Sequence, residues 1–326
     1  MKSKGEGLEG MTKPESMAIV IPIFNEESCI DELIRRLLRL RSEMEGIELS
    51  FLFVNDGSYD RSLDLLLDYA GRYDFLKVIS LSRNFGHQMA ITAGLDHAEA
   101  DYVAIIDGDL QDPPELIKEL YEKMKEGYDI VYAQRTDRKG ESFFKLATAR
   151  LFYSLINKLC HVQIPPNTGD FRLINGKLLR AFKGMRETHR FVRGMVPWLG
   201  FKGAPVLYTR DKRYAGETKY PFTKMLTFAL DAIFSFSNTP LRIATYLGLS
   251  IVLLGILGVL LILYLRLFTD YYVPGITAAI LAIVILGGLQ IIMIGVVGEY
   301  VGRIFEQSKN RPLYVVDFVK NLSSQA

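Results

Sequence analysis

Two long stretches without a charged residue, 243–265 and 273–298, constrain this chain more than any other feature of its sequence. At a rise of about 1.5 Å per residue, a helix of either length crosses a hydrocarbon core of about 30 Å. A short connector, 266–272, joins them, so the two helices form a hairpin. We therefore predict two transmembrane helices, with the segments before and after them on the same side of a membrane.

Basic residues indicate which side that is. The connector holds a single basic residue, Arg266, whereas the flanking segments hold many. Segments rich in Lys and Arg stay in the cytoplasm, so we expect the body of the protein and both termini to be cytoplasmic. The flanking basic residues are Lys212, Arg213, Lys219, Lys224 and Arg242 before the hairpin, and Arg303, Lys309 and Arg311 after it.

The overall charge excludes one large class of partners. The 39 Lys and Arg residues nearly balance the 37 Asp and Glu residues, so no global positive field attracts nucleic acid. The two cysteines, Cys29 and Cys160, are too few for a disulfide framework and show no zinc-binding spacing with the histidines. Anions must therefore be bound by local groups of residues.

The hydropathy pattern divides the chain into segments. Residues 1–16 are polar and lack the apolar core of a signal peptide, so we expect a disordered lead-in. The apolar segment 220–240 is interrupted by charges, which favours interfacial helices on the membrane, although helices that cover the soluble body fit equally well. The remaining segments are an α/β domain over 17–219, the two helices within 241–300, and a tail over 301–326.

Short apolar runs alternate with amphipathic stretches through the first half of the chain. This alternation predicts a doubly wound, mostly parallel sheet with helices on both faces. Ligands bind such sheets outside the carboxyl ends of the strands. The predicted strands are 18–24, 50–54, 77–81, 102–106 and 129–133, and the predicted helices are 28–41, 62–73, 88–99 and 114–125.

Polar residues follow all five predicted strands. Asp107 and Asp109 follow the fourth strand at a spacing that places both carboxylates on one face of an extended backbone. Two such anions, with Gln111 nearby, suit Mg²⁺ or Mn²⁺, while a solvated acidic turn ahead of the next helix is the alternative. The other clusters are Asn25-Glu26, Asn55-Asp56-Gly57-Ser58, Ser82-Arg83-Asn84 and Gln134-Arg135.

Three of these residues, and also His87, have simpler interpretations when taken singly. Asp56 could accept a hydrogen bond from a nucleotide base, but Asp and Gly are also typical of turns. Asn25 and Glu26 precede a predicted helix and can serve as its cap. His87 follows Phe85-Gly86. For this residue a capping or core role is favoured over a contact with a phosphate.

An ordered series of motifs closely resembles the family-2 glycosyltransferases that act on polyprenyl phosphates. This group includes bactoprenol glucosyltransferases, dolichol-phosphate mannose synthases and aminoarabinose transferases, and the resemblance covers about residues 17–220. It implies a GT-A-type fold and a bacterial-type cytoplasmic membrane as the location. The motifs are Pro22-Ile23-Phe24-Asn25-Glu26, Asn55-Asp56-Gly57-Ser58, Arg83-Asn84-Phe85-Gly86, the segment from Asp107 to Glu115, Gly169-Asp170-Phe171-Arg172 and Gly216-Glu217-Thr218-Lys219-Tyr220.

The resemblance also implies roles for individual residues. Pro22, Asn25, Glu26 and Asp56 would bind the nucleotide of the sugar donor. Asp107, Asp109 and Gln111 would hold the metal that bridges the diphosphate. Arg213 and Lys219 would clamp the departing diphosphate, and Arg135 and Arg150, the latter on a predicted helix over 142–158, would cradle the lipid phosphate.

Asp170 occupies the place where many family members carry an acidic pair for the catalytic base. A phosphate monoester has a second pKa of about 6, so a lipid phosphate is already mostly a nucleophilic dianion at neutral pH and needs no base. We therefore expect Asp170 to act in catalysis by orienting the sugar or the acceptor, and Asp109 to act in catalysis as a ligand of the metal. Base catalysis is the second interpretation, and a loop carboxylate paired with Arg172 is the structural alternative.

The sequence thus predicts an enzyme that transfers a hexose, with inversion, from a UDP-sugar to a polyprenyl phosphate such as undecaprenyl phosphate. Glucose is the expected sugar, and amino-arabinose or mannose are the alternatives. A catalytically silent nucleotide-binding scaffold is the alternative from another class, and it is disfavoured because Asp107, Asp109, Arg213 and Lys219 are all present. The expected partners are the donor, the acceptor and membrane lipid, and self-association is left open.

Overall fold

An eight-stranded sheet forms the centre of the body. The computed structural model describes residues 14–136, 165, 167–209, 237–268 and 275–322. The spatial order of the strands is β7-β5-β6-β4-β1-β2-β3-β8, and all neighbours are parallel except those of β6 and β8. The strands are β1 Glu15–Ile23, β2 Ile47–Asn55, β3 Leu76–Leu81, β4 Tyr102–Ile105, β5 Ile130–Arg135, β6 Thr168–Asn175, β7 Gly203–Tyr208 and β8 Val316–Lys320.

Helices cover both faces of this sheet. One apolar core lies under α1, α2 and α4, and a second lies under α3, α5 and α6. This two-faced burial explains why the first strands are continuous apolar runs rather than alternating ones. The helices of the body are α1 Glu27–Glu43, α2 Ser62–Arg72, α3 His87–His97, α4 Ile117–Met124, α5 Gly176–Lys183 and α6 Val192–Trp198, and a short 3₁₀ turn, Pro114–Leu116, precedes α4.

The predicted alternation of five strands and four helices is confirmed, with small differences at the ends. The first strand starts at Glu15, so the boundary of the predicted lead-in at residue 16 is wrong by two residues. Glu15 and Ser16 pair with Ile47 and Glu48 of β2, and the Ser16 backbone N–H and hydroxyl both donate to Asp101 Oδ2, at 2.9 and 2.8 Å. Strand pairing thus extends into a polar segment that hydropathy alone excludes.

Strand β6 runs against its neighbours, between β4 and β5. The alternative interpretation of Asp170 as a loop carboxylate is therefore wrong, because Asp170 lies in this strand with Arg172 and both are buried. Hydropathy did not reveal the strand because a buried ion pair breaks its apolar pattern. At its end, Asn175 caps α5 by accepting a 2.9 Å hydrogen bond from the Leu178 backbone N–H.

Two long apolar helices follow the body. Helix α7 spans Thr239–Phe268 and α8 spans Ile276–Ser308, and each is long and apolar enough to cross a membrane. Their large apolar side chains are mostly exposed, as expected for helices that face lipid. The helices extend beyond the predicted stretches 243–265 and 273–298, and α8 starts three residues later than the second stretch. The interfacial helices predicted for 220–240 lie outside the described residues, apart from 237–240.

The end of α8 is attached to the body by polar contacts. Gln307 accepts a 2.7 Å hydrogen bond from the Thr188 backbone N–H and donates to the Arg186 carbonyl at 3.3 Å. His189 Nε2 lies 2.7 Å from Glu306 Oε2. The chain then enters β8, which pairs with β3 and covers the edge of the sheet. The predicted tail over 301–326 is thus partly an integral piece of the fold.

Candidate active site

The polar clusters predicted at the strand ends lie at the carboxyl edge of the parallel strands. Asp107 follows β4 by two residues, and the turn after it approaches β1 closely. A Cβ atom on Gly108 would lie 2.5 Å from Ile23 Cδ1 and 3.3 Å from the Pro22 carbonyl oxygen. A side chain at position 108 would therefore require the end of the Ile23 side chain to move and the Pro22 carbonyl to give way slightly.

Asp107 shares the edge of the sheet with two residues that are distant in sequence. His87 Nε2 lies 3.5 Å from Asp107 Oδ1 and 3.3 Å from Asp170 Oδ2. We call His87, Asp107 and Asp170 the Asp107 cluster, and one potential ligand atom from each lies within 4.8 Å of the others. This arrangement of imidazole and carboxylate groups can hold a metal ion.

The electrostatics of Asp107 favour a cation. Burial raises the pKa of Asp107 to about 6, and although His87 opposes this shift, the carboxylates of Asp170, Asp112 and Asp109 add to it. Its Oδ1 atom is buried and accepts no hydrogen bond from the described residues. A carboxylate oxygen in this state is stabilised by a bound cation, so the residues present fit a divalent metal.

His87 responds to the same charges in the opposite direction. Burial lowers the pKa of His87, but its hydrogen bond to Asp170 and the negative charge of Asp107 outweigh that effect and raise the pKa to about 8. The imidazole is therefore mostly cationic at neutral pH in the absence of a metal. The expected capping or core role for His87 did not include these contacts, and its place in the segment that follows β3, six residues after Leu81, was the available signal.

Asp170 is held on both oxygens by Arg193. The guanidinium donates from Nε to Oδ1 at 3.0 Å and from Nη2 to Oδ2 at 2.8 Å. Burial alone would raise the pKa of Asp170, but Arg193 and His87 hold it well below its usual range. Arg172 Nη2 also lies 3.6 Å from Oδ1, which confirms proximity to Arg172 but assigns the main pair to Arg193. No local motif in the sequence marks Arg193.

Asp109 and Gln111 lie in the turn that follows Asp107. Asp109 is buried, and its Oδ1 accepts a 3.1 Å hydrogen bond from the Gln111 backbone N–H. Leu110 between them adopts a positive φ of 59°. The Asp107 cluster contains His87 and Asp170 in place of these two residues, so the proposed ligand set of Asp107, Asp109 and Gln111 stays a prediction.

Arg135 lies at the end of β5 beside a buried acid. Its Nη2 is 3.7 Å from Asp112 Oδ2, and its Nε donates to the Tyr208 hydroxyl at 3.2 Å. The Tyr208 hydroxyl in turn donates to Asp112. A Cβ atom at Gly169 would lie 2.9 Å from Arg135 Nη2, so a side chain at position 169 would displace this guanidinium.

The residues predicted to bind the nucleotide surround the ends of β1 and β2. Asn25 accepts a 3.0 Å hydrogen bond from the Tyr59 backbone N–H, and the Glu26 backbone N–H donates to Ser62 Oγ at 2.9 Å. Glu26 precedes α1 but makes no side-chain cap hydrogen bond. Pro22 lies near the end of β1, in register with Val54 of β2.

Asp56 organises the loop that follows β3. One oxygen accepts from the Phe85 backbone N–H, and the other accepts from the Gly86 backbone N–H and from Asn84 Nδ2. Gly57 next to it has a φ of 67°, and a Cβ atom there would lie 2.5 Å from the Asn84 backbone nitrogen. Asp56 and Gly57 thus allow the loop after β2 to pack closely against the loop after β3. Three predicted site residues, Arg150, Arg213 and Lys219, lie outside the described residues.

The chain thus has a GT-A-like mixed sheet, with an acidic cluster at the carboxyl edge of its parallel strands. The sequence model of glycosyl transferase family 2 matches residues 18–182, and the chain belongs to this family.

Several relatives match nearly the whole chain. An uncharacterized glycosyltransferase, YkcC of Bacillus subtilis, is 48% identical over 94% of this chain and 94% of its own length. A prophage bactoprenol glucosyl transferase homolog of Escherichia coli is 40% identical over 93% and 99%. The bactoprenol glucosyl transferase of Shigella phage SfV is 39% identical over 92% and 97%. The resemblance noted from the motifs is confirmed.

Similarity to solved structures is weaker. Glucosyl-3-phosphoglycerate synthase from Mycobacterium tuberculosis, solved with Mn²⁺, uridine diphosphate and phosphoglyceric acid, is 18% identical with a TM-score of 0.48. The match covers 68% of this chain and 76% of that one.

Proposed function

We propose that this protein transfers a hexose, with glucose as the expected sugar, from a UDP-sugar to a polyprenyl phosphate with inversion of configuration. The observation that carries the proposal is the similarity to the two bactoprenol glucosyl transferase relatives, which covers more than nine-tenths of the chain. That length includes both the Asp107 cluster and the two apolar helices. The similarity therefore covers the candidate site and the two apolar helices together, rather than the family domain alone.

The state of Asp170 supports an acceptor that needs no base. A polyprenyl phosphate is mostly a dianion at neutral pH and can attack the anomeric carbon directly. Asp170 is buried and paired with Arg193, so it is poorly suited to remove a proton. Catalysis then depends on placing the acceptor oxygen in line with the anomeric carbon and on stabilising the charge of the departing diphosphate.

A divalent cation, Mg²⁺ or Mn²⁺, fits the acidic turn. In this proposal Asp107 and Asp109 hold the ion, with Gln111 as a further oxygen donor. When bound, the ion neutralises charge on the diphosphate leaving group. The Oδ1 atom of Asp107, which is buried and accepts no hydrogen bond from the described residues, supports the assignment. Asp170 is a poorer ligand because both of its oxygens already accept hydrogen bonds from Arg193.

The remaining assignments follow the resemblance. Pro22, Asn25, Glu26 and Asp56 would line the nucleotide pocket at the ends of β1 and β2. The lipid phosphate would lie beside Arg135, with Arg150 as a second cation. Arg213 and Lys219 would clamp the diphosphate. The donor and acceptor together bring about four negative charges into one cleft, so several cations are required there.

The two apolar helices would hold the body at the cytoplasmic surface of the membrane. The acceptor is a lipid, so its phosphate can be reached only by a site close to that surface. The contacts of Gln307 and Glu306 with the segment 186–189 support a fixed position of the body relative to α8. The excess of basic residues around the hairpin supports a cytoplasmic orientation.

The direct test offers the purified full chain, in detergent with Mn²⁺, a set of sugar donors and undecaprenyl phosphate. The donors are UDP-glucose, UDP-4-amino-arabinose and GDP-mannose, and mass spectrometry identifies the lipid product. We expect hexosyl-phosphoryl-undecaprenol from UDP-glucose and none after Asp109→Asn. A product from another donor would correct the sugar. Binding of UDP without any product from any donor would favour a silent scaffold.

A further inference from the structure

Tyr208 lies between a cation and an acid at the carboxyl edge of the sheet. Its hydroxyl accepts a 3.2 Å hydrogen bond from Arg135 Nε and donates its own proton to Asp112 Oδ1. The direction of both hydrogen bonds is determined, because a guanidinium only donates and an ionised carboxylate only accepts. The hydroxyl therefore joins the two charged groups.

The sheet brings these three residues together from distant parts of the chain. Arg135 ends β5 and Tyr208 ends β7, and the two are paired in register across these parallel strands. Asp112 comes from the turn after β4, where it directly follows Gln111. One phenol side chain thus connects the end of β5 with the turn that is proposed to hold the metal.

The side chain of Tyr208 is firmly held. Tyr208 is only 7% exposed and Asp112 is completely buried. The Tyr208 ring packs edge-on against Phe171 of β6, with the ring centroids 6.2 Å apart. The Tyr208 carbonyl oxygen accepts hydrogen bonds from the Thr136 backbone N–H at 2.9 Å and from its hydroxyl at 3.1 Å. A side chain that is fixed by packing and by hydrogen bonds can hold a neighbouring group in place.

The hydroxyl also keeps Arg135 from a closer pair with Asp112. A guanidinium and a carboxylate frequently form two parallel N–H···O bonds. Here Arg135 Nε donates to Tyr208 instead, and Arg135 Nη2 stays 3.7 Å from Asp112 Oδ2, beyond hydrogen-bond distance. Loss of the hydroxyl would therefore favour movement of the guanidinium onto Asp112.

Arg135 keeps part of its guanidinium available. Its contacts with the described residues use Nε and Nη2, whereas Nη1 makes no hydrogen bond with any of them. The side chain is 22% exposed. Because a guanidinium carries five N–H groups in one plane, Arg135 can keep its contacts with Tyr208 and Asp112 and still donate to an anion from Nη1.

Arg135 lies next to the Asp107 cluster. A Cβ atom at Gly169 would lie 2.9 Å from Arg135 Nη2, and Gly169 is the chain neighbour of Asp170. An anion bound by Arg135 is therefore close to the candidate site rather than on a remote face of the sheet.

We propose that Tyr208 is a positioning residue which, together with Asp112, holds the Arg135 guanidinium in the orientation that binds a phosphate group. The inference rests on the proposed function, which takes this phosphate to be that of the lipid acceptor. The diphosphate of the sugar donor offers the same chemistry, so both sources are tested.

Calorimetry on the full chain in detergent with Mn²⁺ measures this role without sugar transfer. The probes are farnesyl phosphate and UDP, each titrated separately. Tyr208→Phe, which keeps the ring and its contact with Phe171, should weaken binding of farnesyl phosphate by about 5- to 30-fold and leave UDP affinity unchanged. Arg135→Gln should weaken binding of the same probe by at least as much.

The outcomes separate the positioning role from the proposed function. Weaker binding of UDP instead, in both variants, assigns Arg135 to the donor and keeps the positioning role. Binding of both probes by the unchanged protein without any sugar transfer refutes the proposed function alone. Unchanged affinity for both probes in Tyr208→Phe overturns the positioning role, and so does failure of the unchanged protein to bind either probe.

Two comparisons distinguish positioning from a general loss of stability. Tyr132→Phe is the matched control, because Tyr132 is a buried tyrosine of β5 whose hydroxyl makes no hydrogen bond with the described part of the chain. Its affinities should equal those of the unchanged protein. In the Arg135→Gln background, Tyr208→Phe should cause no further loss, because Tyr208 acts through Arg135. An equal loss in both backgrounds would overturn the proposal.

Steady-state kinetics provide a readout that a merely structural role would not change. Tyr208→Phe should raise KM for undecaprenyl phosphate and leave KM for the sugar donor unchanged. A structural defect would instead reduce the amount of folded enzyme and lower the apparent kcat alone. A lower kcat with both KM values unchanged would therefore contradict the positioning role.

Discussion

The carboxylate of Asp56 accepts a 2.7 Å hydrogen bond from the backbone N–H of Phe85. Its other oxygen accepts from the Gly86 backbone N–H at 2.9 Å and from the Asn84 side chain at 3.0 Å. Burial raises the pKa of Asp56, and the two backbone N–H groups oppose that rise. A contact with a nucleotide base stays a prediction, but Asp56 already fixes the loop that leads into His87.

We expect Asp56→Asn to lower both stability and nucleotide affinity. An amide has one acceptor oxygen, so one backbone N–H loses its partner, at a cost of about 2 to 3 kcal/mol in the free energy of unfolding. Chemical denaturation and UDP titration measure the two effects. Asp68→Asn is the control, because Asp68 forms an exposed pair with Arg72 that contributes less than about 1 kcal/mol. Equal stability of the two variants would refute the structural role.

Asp107→Asn should remove a pH dependence from the metal-free protein. The pKa of Asp107 is raised from 3.8 to about 6, so its protonated form stabilises the fold below about pH 4 and this stability is lost as the pH rises through 6. The variant should therefore be more stable than the unchanged protein at pH 7 by about 3 kcal/mol, measured by unfolding in chelator.

The effect of Asp107 on stability is distinguished from that of His87 by the pH range in which each occurs. The raised pKa of His87, about 8, stabilises the fold below about pH 6.5 and loses that effect as the pH rises through 8, outside the Asp107 range. A difference between the two proteins that does not grow between pH 4 and 6 would contradict the assignment.

We expect Asp109→Asn to abolish sugar transfer with little effect on the melting temperature. The change removes one proposed metal ligand while leaving a side chain of the same shape. Transfer by the unchanged protein should stop in excess chelator and return with Mn²⁺ or Mg²⁺, whereas the variant should show no recovery. The assay follows lipid-linked sugar by mass spectrometry. Full activity in either condition would argue decisively against a metal at this turn.

Gln307→Ala should slow transfer to the lipid without weakening UDP binding. Gln307 joins α8 to the backbone of Thr188 and Arg186, close in sequence to Arg193. Loss of both hydrogen bonds, at about 1 kcal/mol each, should lower the rate with undecaprenyl phosphate by about 5- to 10-fold if the attachment sets the position of the site. Ser308→Ala, which alters a bond within the helix, should have no effect.

Asn321→Ala should weaken the edge of the sheet. The Asn321 amide donates to the carbonyl oxygens of Ala70, Tyr73 and Leu76 at 2.7, 3.2 and 2.9 Å. Its loss should cost about 1 to 3 kcal/mol and raise hydrogen exchange in β3 and β8. Lys320→Ala, an exposed change on the same strand, should exchange at the normal rate. Equal exchange in the two variants would show that the amide contributes nothing.

The local elements were predictable because their signals are local. Each of the first five strands is a continuous apolar run, and the residues after it lie at the ligand-binding edge whatever their identity. The position of Asp107 follows from this rule. His87 follows from it as well, because it comes soon after the end of β3, although the rule does not identify its partners.

The contacts between distant segments were not predictable in the same way. Asp170 and Arg172 are two residues apart in a strand whose charges are buried, and no hydropathy pattern marks a strand of that kind. Arg193 reaches Asp170 from the start of α6, a short helix of seven residues. The pairing of β8 with β3 joins residues more than two hundred positions apart, which only the folded chain shows.

The place of β8 in the chain has a consequence for biosynthesis. This strand follows both apolar helices, so the ribosome has synthesised α7 and α8 before β8 can pair with β3. Domains generally fold as they emerge during translation, but this one waits for its final strand. Until then the outer edge of β3 is unpaired, and an unpaired strand edge can form hydrogen bonds with another chain. The two candidate membrane spans are thus synthesised before the sheet can be completed.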